Sequence, residues 1–141
     1  MSTRTATATW RGGLKDGNGK TSGASGAFQD LAYDFRTRFE DQPGTNPEEL
    51  IAAAHAACFS MATSGELGKA KLAPESIEVR ATLTLEMTER GPTVTMIHLD
   101  ARGTVPGASE EAFRQAAETA KANCPISRLL NCTITLDARL A

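Results

Sequence analysis

The sequence predicts an α+β fold in which antiparallel sheets pack around central buried helices. Three observations lead there. Ile77 to Met87 alternates cleanly, with Ile77, Val79, Ala81, Leu83, Leu85 and Met87 on one face of a strand. Leu50 to Ala62 is apolar except for His55 and Ser60, the pattern of a helix buried on all sides. Between Ser109 and Asn123, Ala112, Phe113, Ala116, Ala117 and Ala120 recur at helical spacing and form the inner stripe of a second helix.

The remaining elements follow in order. Thr3 to Trp10 alternates polar with small or apolar side chains and predicts a strand. Arg11 to Ser25 is crowded with Gly, Lys, Asp, Asn and Ser, which favours turns, and its glycines are expected in hairpin turns. A second strand is expected at Gly26 to Phe28, then an irregular stretch near Tyr33 to Thr45. The first helix opens at Thr45-Asn46-Pro47-Glu48-Glu49. Asn46 can cap it, Pro47 suits its first position, and Glu49 can complete a capping box. It is expected to run to about Glu66, before Gly68. Arg90-Gly91-Pro92 predicts a turn, and Thr93 to Val105 the paired strand. Ser109 caps the second helix, Cys124-Pro125 opens a short one, and Asn131 to Leu140 alternates again as a last strand.

With 141 residues and no linker or repeat, residues 1–141 are expected to form a single domain. The 17 acidic and 15 basic residues are interspersed, and no basic block or Arg-aromatic alternation points to nucleic acid. Met1-Ser2-Thr3-Arg4-Thr5 lacks the apolar core of a signal peptide. The longest apolar run, Leu50 to Ala54, is too short for a bilayer. A cytoplasmic location, with no membrane partner, is therefore expected.

Cys58, Cys124 and Cys132 are an odd, sparse set without C-x-x-C spacing, so neither a disulfide framework nor a zinc site is expected. Each is either a small core residue or a reactive thiol. Cys124, just before Pro125 at a helix start, has free backbone N–H groups nearby that favour thiolate. Cys132 lies on the aliphatic face of its strand and reads as core. His55 stands three residues before Cys58, but no second histidine or carboxylate sits beside it at metal-ligand spacing; His98 lies in a strand without a motif. Phosphate-binding, dinucleotide-binding and nucleophile-elbow motifs are missing.

Longer segments carry a family resemblance. They are Thr37-Arg38-Phe39-Glu40, Gly44 to Ile51, Ala53 to Ala62 around His55-Ala56-Ala57-Cys58-Phe59, Ala122 to Ser127, and Ile134 to Asp137. In content and order they resemble the OsmC/Ohr family, most closely its osmotically inducible protein C branch, from Trp10 to the C-terminus. The resemblance implies a thiol peroxidase that reduces organic hydroperoxides without metal or cofactor. It implies Cys58 as the peroxidatic nucleophile, Cys124 as the resolving cysteine, Arg38 as the active-site arginine and Glu48 as the carboxylate that orients it. Cys132 has no counterpart in that pattern. An external thiol reductant, of the dihydrolipoyl dithiol type, would reset the disulfide.

These roles fit elementary chemistry. Thiolate is the nucleophile, a guanidinium favours it, and a carboxylate grips a guanidinium at two points. A Cys58–Cys124 disulfide requires the two Cα atoms to come within about 7 Å. Glu48 and Cys58 lie ten positions apart, about 15 Å along one helix, so both can serve one site only if Glu48 comes from a second subunit. The expectation is an intertwined homodimer whose helices cross antiparallel near Ala53, where Ala52, Ala53, Ala54, Ala56 and Ala57 permit close approach. Phe39, Leu50, Phe59 and Met61 could line an apolar substrate pocket, or be plain core. The alternatives are an apolar-ligand-binding module and a slow redox sensor of the same fold.

Overall fold

Small and polar residues build the first sheet of the computed structural model, which describes all residues from Met1 to Ala141. Strands β1 (Ala6–Arg11), β2 (Asn18–Gly23) and β3 (Leu31–Tyr33) form an antiparallel meander. Gly19 stands opposite Trp10 on one side and Tyr33 on the other, whose rings meet with centroids 5.8 Å apart. A Cβ at Gly19 would lie 2.5 Å from the Tyr33 ring and 2.8 Å from the Trp10 ring, so the missing side chain lets the aromatics close over the strand. Two sequence expectations are corrected here. The stretch from Arg11 to Ser25 holds a strand as well as a turn, and Gly26–Phe28 is irregular, with Gly26 at φ +81°. Periodicity cannot reveal a strand whose side chains are small or polar; pairing on both edges orders it.

By its contacts the chain divides into two units, Met1–Leu50 and Ile51–Ala141. The first also contains α1 (Phe35–Phe39), a single turn inside the stretch expected to be irregular, and the start of α2 (Pro47–Lys69). At the start of α2, Asn46 Oδ1 accepts the Glu49 N–H at 2.8 Å, as expected of a cap. The reciprocal half of the expected capping box is not made: Glu49 Oε1 accepts the Thr45 hydroxyl at 2.7 Å instead.

The second unit is built on β4 (Ser76–Thr88), β5 (Gly91–Thr104) and β6 (Thr133–Leu140), in that order across the sheet. β4 and β5 form the expected antiparallel hairpin. Alternation along β4 holds through Leu83, but Met87, beyond a register shift between Thr84 and Leu85, is 76% exposed rather than inward. β6 pairs with β5 in parallel, which corrects the expectation of purely antiparallel sheets. A parallel pair needs a long crossover, and α3 (Glu110–Asn123) with α4 (Pro125–Leu129) supplies it. The architecture is α+β, with one antiparallel and one mixed sheet.

Ile97, Leu99 and Ala101 of β5 form a core with Phe113, Ala117 and Ala120 of α3. Gly103 lies directly under the Phe113 ring. α2 contributes Phe59 and Leu67 to this core and buries His55 and Thr63 on the same stripe. Its other faces are uncovered: Ile51, Ala53, Ala54, Ala57 and Met61 are exposed. The helix expected to be buried all round is thus buried along one stripe of the single chain. No helix is long and apolar enough to cross a membrane.

Candidate active site

Arg38 is held by a short helix with strong local reasons to form. Asp34 Oδ1 accepts the Thr37 N–H at 2.9 Å and Thr37 Oγ1 accepts the Asp34 N–H at 2.9 Å, a reciprocal cap on α1. Asn46 then ties this turn to the head of α2, its Nδ2 donating to the Thr37 carbonyl at 2.8 Å. In that frame Arg38 Nε donates to Glu48 Oε1 at 2.8 Å and to Oε2 at 3.2 Å, and Nη2 lies 2.7 Å from Oε1. Phe39 lies beneath the guanidinium, with the ring centroid 5.2 Å from Cζ, and packs on Phe35. One edge and one face of the cation are thereby fixed. The contacts to Glu48 use Nε and Nη2, which leaves Nη1 for another acceptor.

Two thiols meet in the second unit. Cys124 follows α3 with φ −62° and ψ 141°, the extended conformation that a following proline imposes. It closes α3 and caps α4, so its side chain sits where two helices change direction. The Ser127 N–H donates to Cys124 Sγ at 3.3 Å, and the Ser127 hydroxyl lies 3.1 Å from the same sulfur. The half-buried Cys58 of α2 lies close enough to the Cys124 thiol and the Ile126 backbone for both to shift its own thiol. Burial pushes the Cys58 thiol up from its ordinary value; the Ile126 backbone opposes this, and the Cys124 thiol and its charge add to it. No cation is among the groups that shift Cys58.

A third residue joins them that sequence reasoning left without a partner. His55 is fully buried, and its Nε2 lies 2.8 Å from Ser127 Oγ. His55, Ser127 and Cys124 therefore form one connected line of polar atoms. Ser127 lies 72 residues from His55 and follows Cys124 by three; only that second spacing is a local signal, that of a cap.

The other candidates stand apart. His98 Nδ1 lies 2.6 Å from Thr135 Oγ1, a cross-strand contact between β5 and β6. Cys132 is half-buried against the core, and burial raises its thiol against the opposing Ile97 backbone. No three His, Cys, Asp or Glu side chains converge as they would around a metal ion. The four apolar residues do not form one lining. Phe59 is fully buried in the core, whereas Met61, two positions on, is 80% exposed, because consecutive alternate positions of a helix face opposite sides. Leu50 lines a small hollow of about 150 Å³ with Tyr33, Thr45 and Pro47. Phe39 is 37% exposed beside Arg38.

Comparison with known proteins gives the chain a family. The family described as OsmC-like protein matches residues 39–139. This chain belongs to the OsmC family. Peroxiredoxin OsmC of Escherichia coli K12 is 47% identical over 131 residues, covering 93% of this chain and 92% of the relative. An organic hydroperoxide resistance protein from Elizabethkingia anophelis, solved with thiocyanate bound, superposes with a TM-score of 0.76 at 25% identity, covering 100% of this chain and 96% of that one. OhrB of Bacillus subtilis shares the fold, with a TM-score of 0.72 at 24% identity over 97% of this chain and 98% of its own. The OsmC family match begins at Phe39 and so includes Glu48, Cys58 and Cys124, with Arg38 one residue before it.

Proposed function

We propose that this OsmC-family chain is a thiol peroxidase that reduces organic hydroperoxides to alcohols. The observation that carries the reading is the pair of neighbouring thiols, Cys58 and Cys124, in a relative of a peroxiredoxin. The Cys58 thiolate attacks the terminal peroxide oxygen. The O–O bond breaks, the alkoxide leaves as alcohol on taking up a proton, and Cys58 becomes a sulfenic acid. Cys124 attacks that sulfur, water leaves, and the intramolecular disulfide forms. An external dithiol, of the dihydrolipoyl type, returns both cysteines to thiols by becoming a disulfide itself. No metal or prosthetic group takes part in this scheme, and residues 1–141 act as one functional domain in the cytoplasm, where thiols are kept reduced.

The scheme needs a cation at Cys58, because burial alone works against its thiolate. Arg38 is the proposed source, delivered by a second copy of the chain. Glu48 and Cys58 are separated by about 15 Å of helix rise, and Arg38 is tied to Glu48. An antiparallel crossing of two α2 helices near Ala53 would bring the pair of one copy to the thiol of the other. It would also cover what a single chain leaves bare: the small-residue faces of α2, Met61, and β1, all six of whose residues are exposed. Phe39, Leu50 and Met61 would then flank the peroxide's organic group, with Phe59 behind them as core. Monomers at micromolar concentration with full activity would refute this assembly.

The chemistry is tested by mass spectrometry after one equivalent of an alkyl hydroperoxide. Wild type should yield a Cys58–Cys124 disulfide, Cys124→Ser a sulfenic acid on Cys58, and Cys58→Ser neither. Peroxide consumption by Cys58→Ser at the wild-type rate would remove the assignment.

A further inference from the structure

Three polar side chains are buried: His55, Thr63 and Ser127. Thr63 is accounted for by its own helix, donating to the Phe59 carbonyl at 2.9 Å. His55 and Ser127 instead meet each other, and Ser127 alone continues to a thiol. Buried polar groups at such a junction require a reason.

The direction of the hydrogen bonds follows from burial. Desolvation lowers the imidazole's affinity for a second proton, so His55 is neutral and has one N–H. Its Nδ1 is buried without a partner. Burying a bare acceptor nitrogen costs less than burying an unpaired N–H donor, which places the proton on Nε2. That N–H, 2.8 Å from Ser127 Oγ, then donates to it. The Ser127 O–H is left to donate onward to Cys124 Sγ at 3.1 Å, beside the Ser127 N–H at 3.3 Å. Both hydrogen bonds then run into the sulfur and fix where it stands.

We propose that His55 and Ser127 are positioning residues for the resolving step, a relay from His55 Nε2–H through the Ser127 hydroxyl that holds the Cys124 sulfur as an acceptor beside Cys58. The inference rests on the thiol-peroxidase reading and deepens it. When Cys58 is a sulfenic acid, the Cys124 sulfur forms the S–S bond as the S–O bond of Cys58 breaks. The departing hydroxide takes the proton that Cys124 gave up and leaves as water. The relay gains and loses no proton, and no further oxidant is needed. The titratable groups facing Cys124 are His55 and Cys58 of α2. On the elements around it, α3 carries Lys121 near Glu118, α4 the exposed Arg128, and β6 Asp137 and Arg139, paired with each other.

Removing the relay takes away a hydrogen bond that holds the Cys124 sulfur beside Cys58, so resolution at neutral pH slows about three- to tenfold. The test is stopped-flow oxidation of the purified protein by an alkyl hydroperoxide across pH 5 to 10, resolving sulfenic acid and disulfide formation in the same trace. Ser127→Ala, the mildest change, and His55→Met should slow disulfide formation relative to sulfenic acid formation by that factor. His55→Gln, which keeps an N–H donor near the Nε2 position, should restore most of the rate. An unchanged step ratio in folded Ser127→Ala would overturn the relay alone. Failure of the wild type to form the Cys58–Cys124 disulfide would overturn the functional reading and the relay with it.

Discussion

Arg38 shows how much can depend on a side chain's shape as well as its charge. Its grip on Glu48 uses Nε and Nη2 together, over the Phe39 ring. A lysine keeps the charge but cannot make that two-point contact. Arg38→Met should therefore lower kcat/KM for an alkyl hydroperoxide about 100-fold, and Arg38→Lys should fall closer to it than to wild type. In Arg38→Met the acid limb of the rate–pH profile should also move upward, since losing a cation raises a thiol pKa. His55 gives a residue-scale prediction of another kind. Burial holds its pKa below the ordinary 6.5, so the unfolded chain takes up the proton first. The stability it contributes is complete above about pH 6.5 and is lost as pH falls through the folded value. Urea midpoints at pH 8 and pH 5 should differ less in His55→Gln than in wild type. The sequence made Arg38, Glu48, Cys58 and Cys124 legible as candidates because each lies in a continuous segment of distinctive residues. It could not connect His55 with Ser127, because that contact is made only after the chain has crossed the second sheet and returned.

At the scale of elements, capping decides where the functional groups stand. The Asp34–Thr37 cap of α1 and the Asn46 bond to the Thr37 carbonyl fix the turn that carries Arg38. Asp34→Ala should cost about 1 kcal/mol in stability, and kcat/KM should fall by more than the unfolded fraction explains, as denaturant titration and kinetics on one sample would show. Packing decides the second sheet. A Cβ at Gly103 would collide with the fully buried Phe113 ring, so Gly103→Ala should destabilise by about 1–3 kcal/mol, read as a lower Tm. The long amphipathic signals of α3 and of the β4–β5 hairpin were plain in the sequence. β2 was not, because Gly19 serves its neighbours' rings rather than a periodic face. The parallel direction of β6 was not either, since its alternation is the same whichever way it runs.

For the whole molecule, the unmet surfaces matter most. An apolar helix covered on one stripe, an exposed first strand and a half-buried Cys58 without a cation are the features of one chain that the proposed dimer addresses. A second copy would complete all three at once. Ala53→Glu, a charge on an exposed small residue at the proposed crossing, should convert the protein to a monomer by sedimentation and abolish peroxidase activity, while far-ultraviolet circular dichroism stays near wild type. The most direct measurement of the central claim, peroxide reduction at Cys58 by a site completed from a second copy, is subunit complementation. Cys58→Ser and Arg38→Met are each close to inactive on their own account. After equal amounts are unfolded together and refolded, half the dimers should be mixed, each with one intact site, and about a quarter of the wild-type rate per subunit should return. A mixture no more active than its two components would contradict the claim.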